Sequence, residues 1–456
     1  MLWRNHVDNM TSSFKSISLY DYGKLYKSSV VYEEVYPHSL EELQHTIKKA
    51  RNVNQPIRVR GSGHTLSGAS LPHKGELLIR LGRLNHFRFE KENELTVGSG
   101  AILWDVRDFL LSYGFLLPVY NGGWGGPTVG GFINAGGMGL RRNLVFVPAS
   151  VPREHLSSHE EEKALEQRIE DIRREHKSMI DTESLSAIHG GFWENVLSVT
   201  AVDGLGQVHT IDRNHEDFPW FFASFGQLGI IVEARLKILP ENELNLSVYP
   251  LGEEGRIPCQ QPEDPVLCDL PPASNGMNHL YWFSYLVSCD QEQQVWDELS
   301  FWIQRHVQVL KPIGGWVGPS IDGVPIGYRY RVTFKNFHPP LLFPKSEDFL
   351  LIGVMTTLPV GLEHFDTKIF SIEKDFTEIA LRNDFKLYPQ AENAGRGIDY
   401  TTYYSRKTYA KFEQLKRKYD PDGLLNPGLF FNRGTREPTK AYEARIIASL
   451  FKGNMS

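Results

Sequence analysis

Apolar positions along this chain recur at two spacings, and the places where one gives way to the other lay out its elements. Leu40, Leu43, Ile47 and Ala50 stand at helical spacing. A strand opening at residues 30–32 precedes them, and a short apolar step at Ile57 and Val59 follows. Residues 77–81 and 94–97 predict two more strands, and residues 103–113 a helix. Together these make residues 30–100 a small α/β lobe. Further on, residues 196–202 read as a buried strand, Asp203 and Gly204 as a turn, and a strand leads to Leu239. Beyond residue 241 the segments lengthen and turn aromatic. Residues 280–286, 328–332 and 349–354 predict strands. The spacing of Val295, Leu299, Trp302 and Ile303, then of Phe365, Ile369, Ile372, Phe376 and Ile379, predicts two helices.

Glycine interrupts these periods twice. Ile57 and Val59 run into Arg60, Gly61, Ser62, Gly63, His64, Thr65, Leu66, Ser67 and Gly68. Glycine admits backbone to a ligand without interference from Cβ. Successive N–H groups in such a turn make an anion nest, to which hydroxyls of Ser62, Thr65 and Ser67 add donors. A diphosphate is the natural guest. The second interruption, residues 122–139, holds nine glycines in eighteen residues, with Thr128, Gly130, Gly131, Asn134 and Gly137 among them. Such density suits backbone lying against a flat ring or a diphosphate.

The first loop resembles the pyrophosphate loop of FAD-linked oxidases of the vanillyl-alcohol-oxidase (p-cresol-methylhydroxylase) superfamily. In the branches holding sugar-lactone oxidases, alditol oxidases and cytokinin dehydrogenases that loop reads roughly R-G-x-G-H-S, and its histidine carries the flavin covalently. Here the matching residue is His64, with Thr65 in place of serine. Pro127, Thr128, Val129, Gly130 and Gly131 resemble the family's T-V-G-G passage. Residues 192–240 resemble a strand–turn–strand passage in which Gly229, Ile230 and Ile231 inherit contacts to the adenine or ribityl side. Residues 419–428 resemble the C-terminal return, where Asn426 takes a position close to the flavin ring.

The resemblance implies an α+β fold: a two-lobed FAD-binding domain over residues 1–240 and an α+β cap with an antiparallel sheet over 241–395. Residues 396–456 return to the first domain and end in a tail. It implies FAD bound through Val59, Arg60, Gly61, Ser62, Gly63, His64, Thr65, Ser67, Thr128, Gly130, Gly131, Asn134, Gly137, Gly229, Ile230, Ile231 and Asn426. The chemistry implied is hydride transfer from a CH–OH centre of a sugar, alditol or lactone-like molecule, with oxygen or another acceptor taking the electrons. Cytokinin-dehydrogenase-like CH–NH oxidation is the alternative. It is weakened because residues 121–125 hold no aspartate where those enzymes have one. A flavin-binding protein without turnover is a third reading. For catalysis the cap suggests Arg329 and Arg331, which alternate with tyrosines on a strand, and Tyr403 ahead of the return. Glu392, Arg396, Asp399 and Tyr404 are further candidates.

Composition narrows the remaining classes. A chain of 456 residues with net charge −6 lacks the basic balance of a nucleic-acid binder. No apolar run reaches the ~18 residues of a membrane span, and the first residues lack a signal core, so a cytoplasmic enzyme is expected. Cys259, Cys268 and Cys289, three in all, argue against a disulfide scaffold. Residues 141–187 break the family pattern as a charged helical insertion. Leu165, Ile169, Ile172 and Met179 form its apolar stripe, which suits packing on the domain, a lid or a homo-oligomer contact. His155 and His159 stand four apart without a third ligand, so no metal is expected.

Overall fold

The computed structural model describes residues 13–15, 19–22, 27–28, 30, 32–91, 93–119, 126–138, 143–146, 160, 163, 167, 190–243, 278–306, 320–321, 324–336, 338–342, 348–359, 365–388 and 403–428. Helix and sheet are mixed, as an α+β reading requires. The first sheet runs in the order β1 (Ser13–Lys15), β4 (Tyr32–Val35), β6 (Leu77–Arg80), β5 (Ile57–Arg60). β6 is parallel to both β4 and β5. Parallel strands need a crossover, and α1 (Leu40–Asn52) supplies one from β4 to β5, which lies on the far side of β6. Ser39 caps α1 by accepting the Glu42 N–H, and Leu43, Ile47 and Ala50 turn inward. They pack with Ile57, Ile79, Val232 and Leu425 in a small core of their own. A short ribbon, β2 (Leu19–Tyr20) with β3 (Lys27–Ser28), lies ahead of β4 in the chain.

The second sheet is antiparallel, in the order β12 (Val208–Asp212), β11 (Val196–Val202), β13 (Ile230–Lys237), β8 (Glu94–Gly98), β7 (Phe87–Lys91). Its middle joins distant parts of the chain, with Ala234 opposite Val97. The turn at Asp203 forms as expected: its carboxylate accepts the Leu205 and Gln207 N–H groups at 2.8 Å each. Helix α2 (Leu103–Leu111) and the pair β9 (Phe115–Leu116) with β14 (Leu239–Pro240) complete this part. Strand β7 has no counterpart in the sequence reading, because Phe87 and Phe89 alternate with charge over too short a run.

Residues 129–134, read as loop, fold instead as helix α3 (Val129–Asn134). Thr128 caps it by accepting the Gly131 N–H at 3.3 Å. Phe132 and Ile133 are buried. A cap and two buried apolar side chains outweigh a glycine cost of about 1 kcal/mol each.

The third sheet, also antiparallel, runs β10 (Asn143–Phe146), β17 (Val324–Thr333), β18 (Asp348–Pro359), β15 (Asn278–Ser288), β19 (Lys386–Leu387), with β16 (Ser320–Ile321) paired to β17. Helices α4 (Glu292–His306) and α5 (Phe365–Asn383) cover it. Tyr285 stacks on Phe376 at 4.0 Å and donates its hydroxyl to the Phe376 carbonyl, while Trp302 donates to the Ile372 carbonyl. This is the expected antiparallel sheet with its two helices. One strand is unexpected. Leu144, Val145 and Phe146, β-formers at the start of the supposed insertion, join this sheet opposite Tyr328, Gly327 and Ile326. Within the rest of 141–187, Glu160, Lys163 and Gln167 are helical and exposed. The apolar stripe, His155, His159, residues 258–276, Cys259, Cys268 and the tail after 428 fall outside the described residues. The last described helix is α6 (Arg406–Tyr419).

Candidate functional site: a cavity beside His64

Six stretches of chain converge on one cavity of about 850 Å³, open mouth included. Of the residues expected at a dinucleotide site, Val59, Gly61, Ser62, Gly63, His64, Thr65, Thr128, Gly130, Gly131, Asn134, Ile230, Ile231 and Asn426 line it. Arg60, Ser67, Gly137 and Gly229 do not. Arg60 folds back instead, donating to Ser70 Oγ at 3.0 Å and to the Tyr20 carbonyl at 2.8 Å. Its guanidinium lies where a Cβ on Gly63 would stand, and Gly63 has φ +72°, so this position requires glycine twice over. Ser67 braces Thr65 through an Oγ–Oγ contact of 2.8 Å and an N–H donated to Thr65 Oγ1. Gly137 lies against the ring of Phe132 and the Cβ of Phe192, and Gly229 against Ala201.

The structure adds wall residues that sequence reasoning missed, chief among them Leu81, Ser99, Phe225 and Gly226. Ser99 stands just past β8, with no motif to mark it; only the strand pairing brings it here. Its Oγ is buried and makes no hydrogen bond. A buried hydroxyl left unpaired costs free energy that a polar guest would recover.

Two asparagines hold the wall. Asn134 donates to the Gly130 carbonyl at 2.9 Å and accepts the Gly226 N–H at 2.9 Å and the Ser224 hydroxyl at 3.3 Å. Asn426 accepts the Val59 N–H and donates to the Phe225 carbonyl, both at 2.8 Å. Its backbone sits at φ +44°, a region asparagine tolerates better than most residues. Behind it, the buried Lys416 ammonium donates to Asp420 Oδ2 at 2.6 Å and to the Gln227 and Leu425 carbonyls. Burial pulls the Lys416 pKa down, against the opposing pull of Asp420. Arg58, 1% exposed, grips Glu76 with two nitrogens at 2.8 and 3.0 Å, and also reaches the Pro427 and Ala69 carbonyls. Burial would raise the Glu76 pKa, but the Arg58 charge holds it below the ordinary carboxylate value.

The proposed catalytic side chains gather elsewhere. Arg329 and Arg331 border a separate shallow recess with Ser288, Cys289, Asp290 and Asp348. Arg329 is bonded to Glu292 at 2.6 Å and Arg331 to Asp348 at 2.6 Å. Tyr403 is buried, its hydroxyl accepting the Leu387 N–H at 2.6 Å. Tyr404 packs edge-on against it, and burial pushes its phenol pKa well above the usual value. None of these four lines the cavity. Glu392, Arg396, Asp399 and residues 121–125 fall outside the described residues. Among the described residues no three His, Cys, Asp or Glu side chains cluster to hold a metal, and no helix is long and apolar enough to cross a membrane.

Residues 34–146 match a family described as a FAD binding domain. A FAD-linked oxidoreductase of Penicillium ochrochloron, ptmO, is 29% identical over 140 residues, 30% of this chain and 29% of that protein. A D-arabinono-1,4-lactone oxidase of Candida glabrata is 23% identical over 212 residues, 45% of this chain and 31% of its own length. An L-gulonolactone oxidase of Mus musculus is 29% identical over 131 residues, 28% of each chain. The chain thus spans about three-tenths of the length of the curated relatives it matches.

Proposed function

We propose, taking residues 34–146 as the FAD binding domain that they match, that the chain is a FAD-dependent oxidoreductase. Its flavin occupies the cavity beside His64 and is bonded to that imidazole, and its substrate is a small molecule with a CH–OH centre of lactone or sugar type. One observation carries this reading: residues 59 and 61–65, Thr128, Gly130, Gly131 and Asn134, Ile230 and Ile231, and Asn426, all picked from sequence for one ligand, line a single cavity. The cavity suits the cofactor in kind. Leu81, Phe225, Ile230 and Ile231 offer apolar wall for a flat ring, and Ser99 Oγ offers an unsatisfied polar atom. When bound, FAD supplies the acceptor for a hydride, passing the electrons on to oxygen or another acceptor.

The chain's own groups bind and orient. Asn134 and Asn426 meet on the 225–226 backbone and tie it to helix α3 and to β5, so the cavity keeps its shape without a ligand. The apolar residues exclude water, which strengthens every polar contact inside. The substrate class leans on lactone oxidases among the relatives.

Acid precipitation followed by intact-mass measurement tests the cofactor and its bond together. A yellow pellet heavier by one FAD is expected, and His64→Ala releases the flavin to the supernatant. Colourless protein that takes up no FAD overturns the reading outright. Bleaching of the flavin absorbance by a sugar lactone or alditol, in the absence of oxygen, tests the substrate class.

A further inference from the structure

His64 does not stand alone at the cavity wall. Tyr22 stacks on it, with ring centroids 4.2 Å apart and planes 25° from parallel. Both rings are buried, at 6% and 8% exposure. Tyr22 comes from the far end of the chain's first ribbon, and two further bonds lock that segment to the loop. The Tyr22 N–H donates to the Thr65 carbonyl at 2.9 Å, and Arg60 donates to the Tyr20 carbonyl at 2.8 Å. A stack alone would be ordinary aromatic packing. A stack pinned on both sides of the histidine, by Arg60 and by Thr65, is a device for holding one ring in one plane.

We propose that Tyr22 is a positioning residue for His64, setting the imidazole for its bond to the flavin. This rests on the reading of His64 as the residue that carries the cofactor. The bond joins an imidazole nitrogen to a methyl carbon of the flavin ring. One N–H and one C–H bond break, and with dioxygen as oxidant the two hydrogens and two electrons leave as hydrogen peroxide, so the step balances. Tyr22 contributes in two ways. Its ring face fixes the plane of the imidazole, so that the nitrogen lone pair keeps a single direction. The negative face of the phenol ring also favours the positive charge that grows on an imidazole as its lone pair is committed to a new bond.

The test follows the appearance of acid-precipitable flavin after FAD is added to full-length protein purified from flavin-depleted cells. Tyr22→Leu is expected to slow covalent loading about three- to ten-fold, the span of a stacking contribution expressed as a rate. Tyr22→Phe keeps the ring and the wild-type rate. Tyr22→Met keeps the volume without the ring, and serves where the leucine variant is insoluble. In a His64→Ala background Tyr22→Leu leaves the affinity for noncovalent FAD within about two-fold, because the pair no longer exists to be broken. Wild-type loading by both Tyr22→Leu and Tyr22→Met overturns the inference, as does a phenylalanine variant as slow as the leucine one. Equal weakening of FAD affinity with or without His64 also overturns it, because Tyr22 then only latches the loop. Wild-type protein with flavin bound but none in the acid pellet removes the His64 bond itself, and the role of Tyr22 with it; that outcome is distinguished by the wild-type control alone.

Discussion

Two strands of this protein carry a pair of arginines two residues apart, and they use them in opposite ways. On β5, Arg58 and Arg60 are 1% and 2% exposed and reach across the chain, to Glu76, Ser70 and the carbonyls of Tyr20, Ala69 and Pro427. On β17, Arg329 and Arg331 have side chains 27% and 43% exposed and pair with nearby carboxylates. The sequence pattern is the same, arginine alternating with an apolar or aromatic residue. What differs is cover. The C-terminal return crosses β5, with Ile57 bridged to Leu425 and the Ile57 carbonyl accepting the Asn426 N–H. A guanidinium under such cover must find fixed acceptors, and those acceptors become the frame of the cavity. An arginine left at the surface finds whichever carboxylate is near. Frame and surface pair look alike until the chain is folded.

Breaking the β5 frame is expected to have the largest effect. Arg58→Met strips Glu76 of its partner in a buried site, which costs about 3–5 kcal/mol. Urea unfolding measures it, and Arg58→Met with Glu76→Gln together recover much of the loss. The pH dependence changes sign as well. In the wild-type protein the Glu76 pKa is lowered, so its stabilisation is complete above the unfolded value of about 4.3 and is lost as pH falls through the lower folded value. Without Arg58, burial is left as the main influence and raises that pKa. Stability then falls as pH rises above about 4. A variant whose thermal midpoint follows the wild-type profile would mean that Glu76 is not governed by Arg58.

This contrast also marks what could be read from the residues in advance. Loop, return and strand periods were legible because each is local: glycine, hydroxyl and turn chemistry cluster within a dozen positions. Only the walls built from such stretches were picked in advance; Leu81, Ser99, Phe225 and Gly226 were not. Helix α3 was not legible, since its two glycines argue for loop, and the Thr128 cap and the burial of Phe132 decide otherwise. Nor was the burial of Arg58, Arg60 and Lys416, which depends on residues tens to hundreds of positions away. Ser99 and Tyr22 reach the site by strand pairing and by a stack, neither of which leaves a mark in local sequence. The arginines of β17 were chosen for their alternation on a cap strand of the resembled family, and alternation does not say which face is roofed.

Asn426 offers an intermediate effect and separates two parts of the frame. Asn426→Ala removes the bonds to the Val59 N–H and the Phe225 carbonyl, each worth about 1 kcal/mol. It also sets alanine at φ +44°, adding about 1–2 kcal/mol of backbone strain. Asn426→Gly loses the bonds without the strain, so it is expected to be the milder change by about 1 kcal/mol. Equal losses in the two variants would show that backbone conformation there contributes nothing, and that the side chain alone ties β5 to the 225–231 segment.

The smallest effect is expected on β17. Arg331 Nη2 meets Asp348 Oδ2 at 2.6 Å, but both side chains are well exposed, at 43% and 30%. Exposed pairs contribute about 0–1 kcal/mol, because solvent screens the attraction and holding two long side chains costs entropy. Arg331→Ala is therefore expected to shift the urea midpoint little, and less still at high salt, where the pair is already screened. Arg329 is the firmer of the two, held by two nitrogens to the Glu292 carboxylate, so Arg329→Ala lands at the upper end of that range. Neither residue lines the cavity beside His64, so both variants are expected to take up FAD and to bond it at the wild-type rate. A fall in substrate turnover of about a hundred-fold or more in either variant, with FAD loading intact, corresponds to the loss of a transition-state contact of about 2.7 kcal/mol. That outcome would return the β17 arginines to the chemistry and erase the distinction between the two strands.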